Sequence, residues 1–138
     1  MSDCTFCREY ENKYDRINDK PLEVLLENKS FWVKLDPNPV SKGHALIVSK
    51  GHIEDIFGLN PEESASYLDI LKQTKQLLDE RFRPDGYNVG CNAGKAAGQT
   101  IPHLHIHVIP RYKGDVPNPR GGVRNIIPGK GDYRAYEH

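Results

Sequence analysis

In His103-Leu104-His105-Ile106-His107-Val108-Ile109, histidine alternates with aliphatic residues before the run closes on two aliphatics. Strict alternation is the period of a β-strand with one buried face. It predicts a strand over residues 103–109, with His103, His105 and His107 on one face and Leu104, Ile106 and Val108 on the other. Same-face neighbours on a strand lie about 7 Å apart, so the outer two histidines are about 13 Å apart. A zinc–nitrogen bond is only about 2 Å long. Three histidines in this pattern therefore cannot share one zinc ion and must divide their work. The bland alternative is a solvated strand face that happens to carry three of the chain's six histidines.

A chain of 138 residues is long enough for one domain with a real core. The sequence predicts a single domain over 1–138, with a core at about 4–112 and a C-terminal arm at 113–138. Nineteen Lys and Arg balance nineteen Asp and Glu, which argues against a dedicated nucleic-acid binder. The balance is uneven: from Arg111 onward six basic residues face three acidic ones. No apolar run approaches a membrane span. The opening Met-Ser-Asp-Cys-Thr-Phe-Cys has no signal-peptide core. The expectation is a cytoplasmic protein with no membrane or nucleic-acid partner. Three cysteines cannot close a disulfide set and read as thiols or metal ligands.

Leu22–Leu26 and Phe31–Leu35 flank Glu27-Asn28-Lys29-Ser30 and read as a hairpin. Asp36-Pro37-Asn38-Pro39 breaks pairing, and Gly43–Ser49 holds a third strand. Asn60-Pro61-Glu62-Glu63 predicts a helix start, with Asn as N-cap and Pro in the first turn. That helix should run to about Arg83, bury Ala65, Leu68, Leu71, Leu78 and Phe82, and end at Arg83-Pro84-Asp85-Gly86. Ile70 and Leu77 fall outside this stripe, so they suit a two-fold interface between copies, or one wide core face in a monomer. Tyr87–Asn92 reads as a fourth strand, 92–100 as a loop and the histidine run as a fifth strand. The order implies an antiparallel α+β domain. Beyond Pro110 the chain is rich in Gly and Pro and reads as an extended arm ending at His138.

Neutral imidazole is a competent nucleophile toward phosphorus when its second nitrogen is held by a hydrogen bond. A middle histidine with two neighbours suits that role, because the flanking rings can orient it, bind phosphate oxygens or protonate a leaving group. Gly98-Gln99-Thr100 offers backbone, amide and hydroxyl donors for phosphate, though most such triplets are ordinary turns. Cys4-Thr5-Phe6-Cys7 by itself fits a redox pair, an incidental spacing or part of a metal site. Cys91 reads as a small buried apolar residue.

The run from Gly98 through His103, His105 and His107 to Arg111 resembles the histidine triad family, and most closely its dinucleoside polyphosphate hydrolase branch. A second block, from Asp36 to His44-Ala45-Leu46-Ile47-Val48, is similar to that family's first conserved strand and fourth histidine. The resemblance implies a five-stranded antiparallel sheet, one long helix, a short N-terminal helix and a homodimer. It implies that His105 attacks the α-phosphorus of a purine nucleotide derivative, giving a nucleotidyl-histidine that water resolves. His107 would contact phosphate and help the leaving group depart, and His44 would support the triad. Gln99, Thr100 and Asn92 would lie at the phosphates, and Asp36 at the ribose hydroxyls. Phe6, Leu35 and Pro37 would border the base, unless they are plain packing.

Many prokaryotic triad proteins, and the distantly similar galactose-1-phosphate uridylyltransferases, pair a Cys-x-x-Cys with zinc. The resemblance places a structural zinc on Cys4, Cys7, His52 and His103. Magnesium would enter with a polyphosphate substrate. Arg111, Lys113, Arg120 and Arg124 would meet that polyphosphate, or be solvated or packed against a second copy. The rival readings are a nucleoside phosphoramidate hydrolase and a non-catalytic nucleotide-binding or zinc-scaffold protein.

Overall fold

Two faces of one sheet organise the chain, and strand alternation decides which residue meets which. The computed structural model describes residues 4–136, with side chains described to 134; His138 lies outside the described residues. The elements run α1 (Thr5–Asn12), β1 (Tyr14–Asp15), β2 (Lys20–Pro21), β3 (Leu26–Glu27), β4 (Phe31–Leu35), β5 (Ala45–Ser49), α2 (Pro61–Phe82), β6 (Gly86–Gly90) and β7 (His105–Arg111). β1 and β2 form a small hairpin that the sequence pattern did not suggest. The main sheet has five antiparallel strands in the order β3-β4-β5-β7-β6. No helix among the described residues is long and apolar enough to cross a membrane.

The strand expected at Leu22–Leu26 is ordered only at its end. Leu25 N–H still reaches the Val33 carbonyl at 2.8 Å, while Leu22 pairs back to Lys13 at 2.9 Å. β7 begins at His105 rather than His103. His103 instead sits in a bend and turns into a buried cluster.

Phe31 and Val33 of β4, Ala45 and Ile47 of β5, and Ile106 and Val108 of β7 form one buried face, covered by Ile70 and Leu78 of α2. The opposite face carries Trp32, Leu46 and Val48, against which α1 lays Phe6. His105 and His107 alternate with Ile106 and Val108, so they share the α1 side of the sheet.

α2 starts as its sequence implies. Asn60 Oδ1 accepts the Glu63 N–H at 2.8 Å and Glu63 Oε1 accepts the Asn60 N–H at 2.9 Å, closing a capping box ahead of Pro61. Its buried row matches the expected one at Leu78, with Leu71 and Phe82 packed partly against the same core, and differs elsewhere. Ile70, Thr74 and Leu78 face the core, while Ala65 is exposed and Leu68 is 54% exposed. The buried Thr74 hydroxyl is satisfied by the Ile70 carbonyl at 2.7 Å. Ile70 is thus a core residue and is not available to a second copy, and Leu77 packs partly against the same core. Leu78→Ala is expected to cost about 2–5 kcal/mol, the range for a truncated core leucine. Urea unfolding checks this, and a loss below about 1 kcal/mol would contradict the packing.

The arm beyond β7 has only short 3-10 turns, at Gly122–Ile126 and Tyr133–Tyr136. It folds back so that a Cβ at Gly122 would lie 3.2 Å from the Asn88 amide nitrogen of β6.

Candidate active site and metal centre

Register brings the separated histidines together. Leu46 of β5 pairs with His107 of β7, and His44 lies two residues before Leu46. His44, only 3% exposed, places Nε2 2.9 Å from Nδ1 of His107. The Val40 N–H points at His44 Nδ1 at 3.2 Å. A backbone N–H can only donate, so His44 Nδ1 accepts and its proton sits on Nε2. That proton is donated to His107 Nδ1, which leaves the His107 proton on its own Nε2. The hydrogen-bond pattern therefore assigns His107 as an N–H donor at its outer edge.

His105 is fixed by a different partner. Its Nδ1 lies 2.8 Å from the His103 carbonyl oxygen. A carbonyl only accepts, so Nδ1 carries the proton and Nε2 keeps a free lone pair. The Phe6 ring packs on this imidazole with centroids 4.8 Å apart. The three histidines do divide their work: His103 orients His105 through its backbone, and its side chain serves elsewhere.

Burial lowers His107 from the ordinary imidazole value; the charges of His105 and then His44 add to this, and Asp36 opposes it. Burial likewise lowers His44, again opposed by Asp36. Both rings are neutral at neutral pH, as the donor–acceptor chain requires. The folded values lie below the unfolded value of about 6.5. The stability these rings contribute is therefore complete above that pH and is lost as pH falls through the folded values. The urea midpoint is expected to drop as pH is lowered below about 6.5. A His44→Gln/His107→Gln variant should lose most of that slope, and an equally steep slope in the variant would contradict the assignment.

Asp36 lies beside this chain, with Oδ2 3.5 Å from His44 Nε2 and Oδ1 accepting the Asn38 N–H at 2.8 Å. Pro37 is half-buried next to it. Leu35 departs from expectation: alternation along β4 turns it to the α2 side, where it packs against the main core, on the other face from Phe6. Lys34 takes the α1 side instead. Its ammonium meets both oxygens of Glu9 at 2.8 and 2.7 Å, with the two side chains only 5% and 4% exposed. Nothing in the local sequence flags this pair.

Asn92 and Thr100 are exposed on the loop before β7. The Gln99 side chain is spent on backbone groups: its oxygen accepts the Gly94 N–H at 2.8 Å, and its amide donates to the Glu54 carbonyl, after β5, and the Ile101 carbonyl at 2.7 and 3.2 Å. Three arginines from Arg111 onward are also engaged. Arg111 is bidentate to Asp115, Arg124 meets the Gly131 and Lys130 carbonyls, and Arg120 meets the Tyr133 hydroxyl.

At the other end of the triad, Cys4, Cys7, His52 and His103 bring four ligand atoms within 4.8 Å of one another. His103 Nδ1 lies 3.2 Å from Cys4 Sγ, 3.5 Å from Cys7 Sγ and 3.2 Å from His52 Nδ1, and Cys7 Sγ is 3.5 Å from His52 Nδ1. Tetrahedral zinc with bonds of about 2.0–2.3 Å needs ligand separations of about 3.3–3.8 Å, so the set fits. The His103 Nε2–H points at the Ser49 carbonyl at 2.8 Å, which leaves Nδ1 bare for a cation. Burial and then neighbouring Cys4 push the Cys7 thiol up to about 11, so a cation is what would make it a thiolate. Ser49 is a supporting residue that sequence reasoning missed.

Residues 18–114 match the family model described as the HIT domain. The chain belongs to the HIT family. It is 36% identical over 112 residues to an uncharacterized HIT-like protein of Methanocaldococcus jannaschii, covering 81% of each chain. It is 33% identical over 108 residues to the adenosine 5'-monophosphoramidase hnt1 of Schizosaccharomyces pombe, covering 78% of this chain and 74% of that one. It is also 32% identical over 93 residues to an asymmetrical bis(5'-nucleosyl)-tetraphosphatase of the same yeast, covering 67% of this chain and 51% of that protein, about half its length. A Zn-bound histidine triad family protein from Mycobacterium smegmatis superposes with a TM-score of 0.70 at 32% identity, over 83% of this chain and 78% of that one. The HIT fold and the nucleotide-hydrolase character of its relatives agree with what the triad implied.

Proposed function

We propose that this HIT protein hydrolyses nucleotide derivatives at the α-phosphate through a covalent intermediate on His105. The observation that carries this is the 2.8 Å bond from His105 Nδ1–H to the His103 carbonyl, which leaves Nε2 as a free, oriented lone pair. Nε2 attacks the α-phosphorus and the bond from phosphorus to the leaving group breaks, its electron pair departing with that group. The Nδ1–H bond to the carbonyl stabilises the imidazolium that forms. Water then attacks phosphorus and gives up a proton to solvent, the P–N bond breaks with its electron pair returning to Nε2, and the nucleoside monophosphate leaves with His105 neutral again. His107 Nε2–H hydrogen-bonds the phosphate oxygens throughout, held by His44. Thr100 and Asn92 supply further donors, Asp36 accepts from the ribose hydroxyls, and Phe6 and Pro37 border the base. Any nucleotide binder could dispense with a free, oriented Nε2; release of AMP from an adenylated substrate separates the enzyme from a scaffold.

Neutral His107 favours dinucleoside polyphosphates. It is a hydrogen-bond donor but a poor full acid, because burial resists the charged form that would reload it. A nucleoside polyphosphate leaves as a stable anion and needs no full protonation, whereas an amine does. The rival is a phosphoramidate substrate, which the longer match to the yeast phosphoramidase favours. The check is kcat/KM for a diadenosine polyphosphate, with magnesium, against an adenosine lysyl-phosphoramidate. The expected ratio favours the polyphosphate, and the reverse would overturn this choice. Since the arm arginines already have partners, the ratio should change little with salt.

Zinc is the proposed occupant of Cys4, Cys7, His52 and His103, where it would supply a structural tie between α1 and the triad strand. A homodimer is proposed as well. β6 is an unpaired sheet edge bearing the 38% exposed Val89, and Leu68 is exposed on α2. Light scattering should give twice the 15.7 kDa protomer mass, and the protomer mass at micromolar concentration would refute it.

A further inference from the structure

The α1 helix has a second polar flank that neither the triad nor the metal set uses. Thr5, Arg8, Glu9 and Asn12 fall on one side of the helix, and Tyr14 and Arg16 come across from the β1 hairpin. Together they line a cavity of about 250 Å³. Arg8 Nε is buried and has no hydrogen-bond partner among the described residues, while the residue as a whole is half-buried. A guanidinium nitrogen removed from water without an acceptor carries a real desolvation cost.

Three of the nearby acids do not meet that cost, because each is already engaged. Glu9 gives both oxygens to Lys34. Asp15 takes the Ile17 and Asn18 N–H groups and the Asn18 side-chain amide. Asp19 accepts the Tyr14 hydroxyl. The lining thus presents two guanidiniums beside one carboxylate that Lys34 already neutralises. Arginine pairs with phosphate through planar, two-point hydrogen bonding, and the Thr5 hydroxyl and Asn12 amide add neutral donors.

We propose that this cavity is an anion site that takes a phosphate group, with the half-buried Arg8 as its anchor and the exposed Arg16 beside it. It is distinct from the histidine triad and stands whether or not His105 is a nucleophile. The phosphate could be free or part of a nucleotide, and the same experiment distinguishes the two. Backbone amide resonances of the zinc-loaded protein are followed during titration with inorganic phosphate, pyrophosphate and AMP.

With phosphate or pyrophosphate, amides of residues 5–16 should shift and saturate. In Arg8→Gln the apparent Kd for that set should weaken by about tenfold or more, the scale of one charged hydrogen bond, while shifts at 105–107 are kept. Arg16→Gln, on an exposed side chain, gives the same test without disturbing the buried helix flank. If AMP moves both sets together, the phosphate belongs to a nucleotide; if AMP moves only 105–107 while phosphate moves 5–16, the site takes free phosphate. No saturable shift in 5–16 with any of the three, or unweakened binding in both variants, would overturn the proposal.

Discussion

His105→Ala is expected to lower kcat by about a thousandfold or more, about 4 kcal/mol of barrier, while the Kd for a nucleotide stays within about threefold. The asymmetry follows from the geometry. In the proposed mechanism the His105 Nε2 lone pair takes part in bond formation, whereas ground-state binding rests on the donors around it. His107 Nε2–H, Thr100 and Asn92 remain in the variant. His107→Ala should behave differently, raising KM as well as lowering kcat, because a group that bonds phosphate in both ground and transition states contributes to both. Equal losses of kcat and binding in His105→Ala would mean that this ring holds substrate rather than attacking it.

The second large effect concerns the cysteines. Cys4→Ser/Cys7→Ser is expected to remove one equivalent of zinc per chain and lower Tm by about 10 °C, since metal that binds only the folded chain adds its binding energy to folding. The structural consequences should reach the triad. α1 carries Cys7 into the metal set and Phe6 onto His105, 4.8 Å between ring centroids. His103 would contribute Nδ1 to the metal, and its carbonyl accepts from His105 Nδ1. One residue therefore joins the two centres. Metal analysis and calorimetry read the first two effects independently of activity. Unchanged zinc content, or an unchanged Tm after zinc loss, would contradict the assignment.

Much of this arrangement was legible in the chain because it is written in period and spacing. Alternation placed His105 and His107 on one face, and the Asn60-Pro61 start located α2 to the residue. The core row of α2 was misread because Thr74 is polar. Hydropathy favours the Ala65 and Leu68 side, but the Thr74 hydroxyl bonds within the helix and the row through Ile70 and Leu78 wins. Leu35 was placed at the base by the family resemblance, with plain packing as the alternative, and the pleat of β4 turns it to the other core.

What could not be read were partners distant in sequence or lying on the backbone. The Val40 N–H that sets the tautomer of His44, the Ser49 carbonyl behind His103 and the Glu9–Lys34 pair leave no local signature. Gln99 is a further case, a residue whose type suits phosphate but whose side chain is consumed by backbone groups of its own loop and of Glu54.

The central claim is that His105 Nε2 forms a bond to phosphorus. Rapid mixing of the protein with an adenylated substrate, a basic or denaturing quench and peptide mass spectrometry tests it most directly. The expected result is a single adenylyl group on the peptide containing His105, labile to acid, lost in His105→Ala and retained in His107→Ala. Turnover with no adduct at any quench time, or an adduct on His107 in the unsubstituted protein, would contradict it.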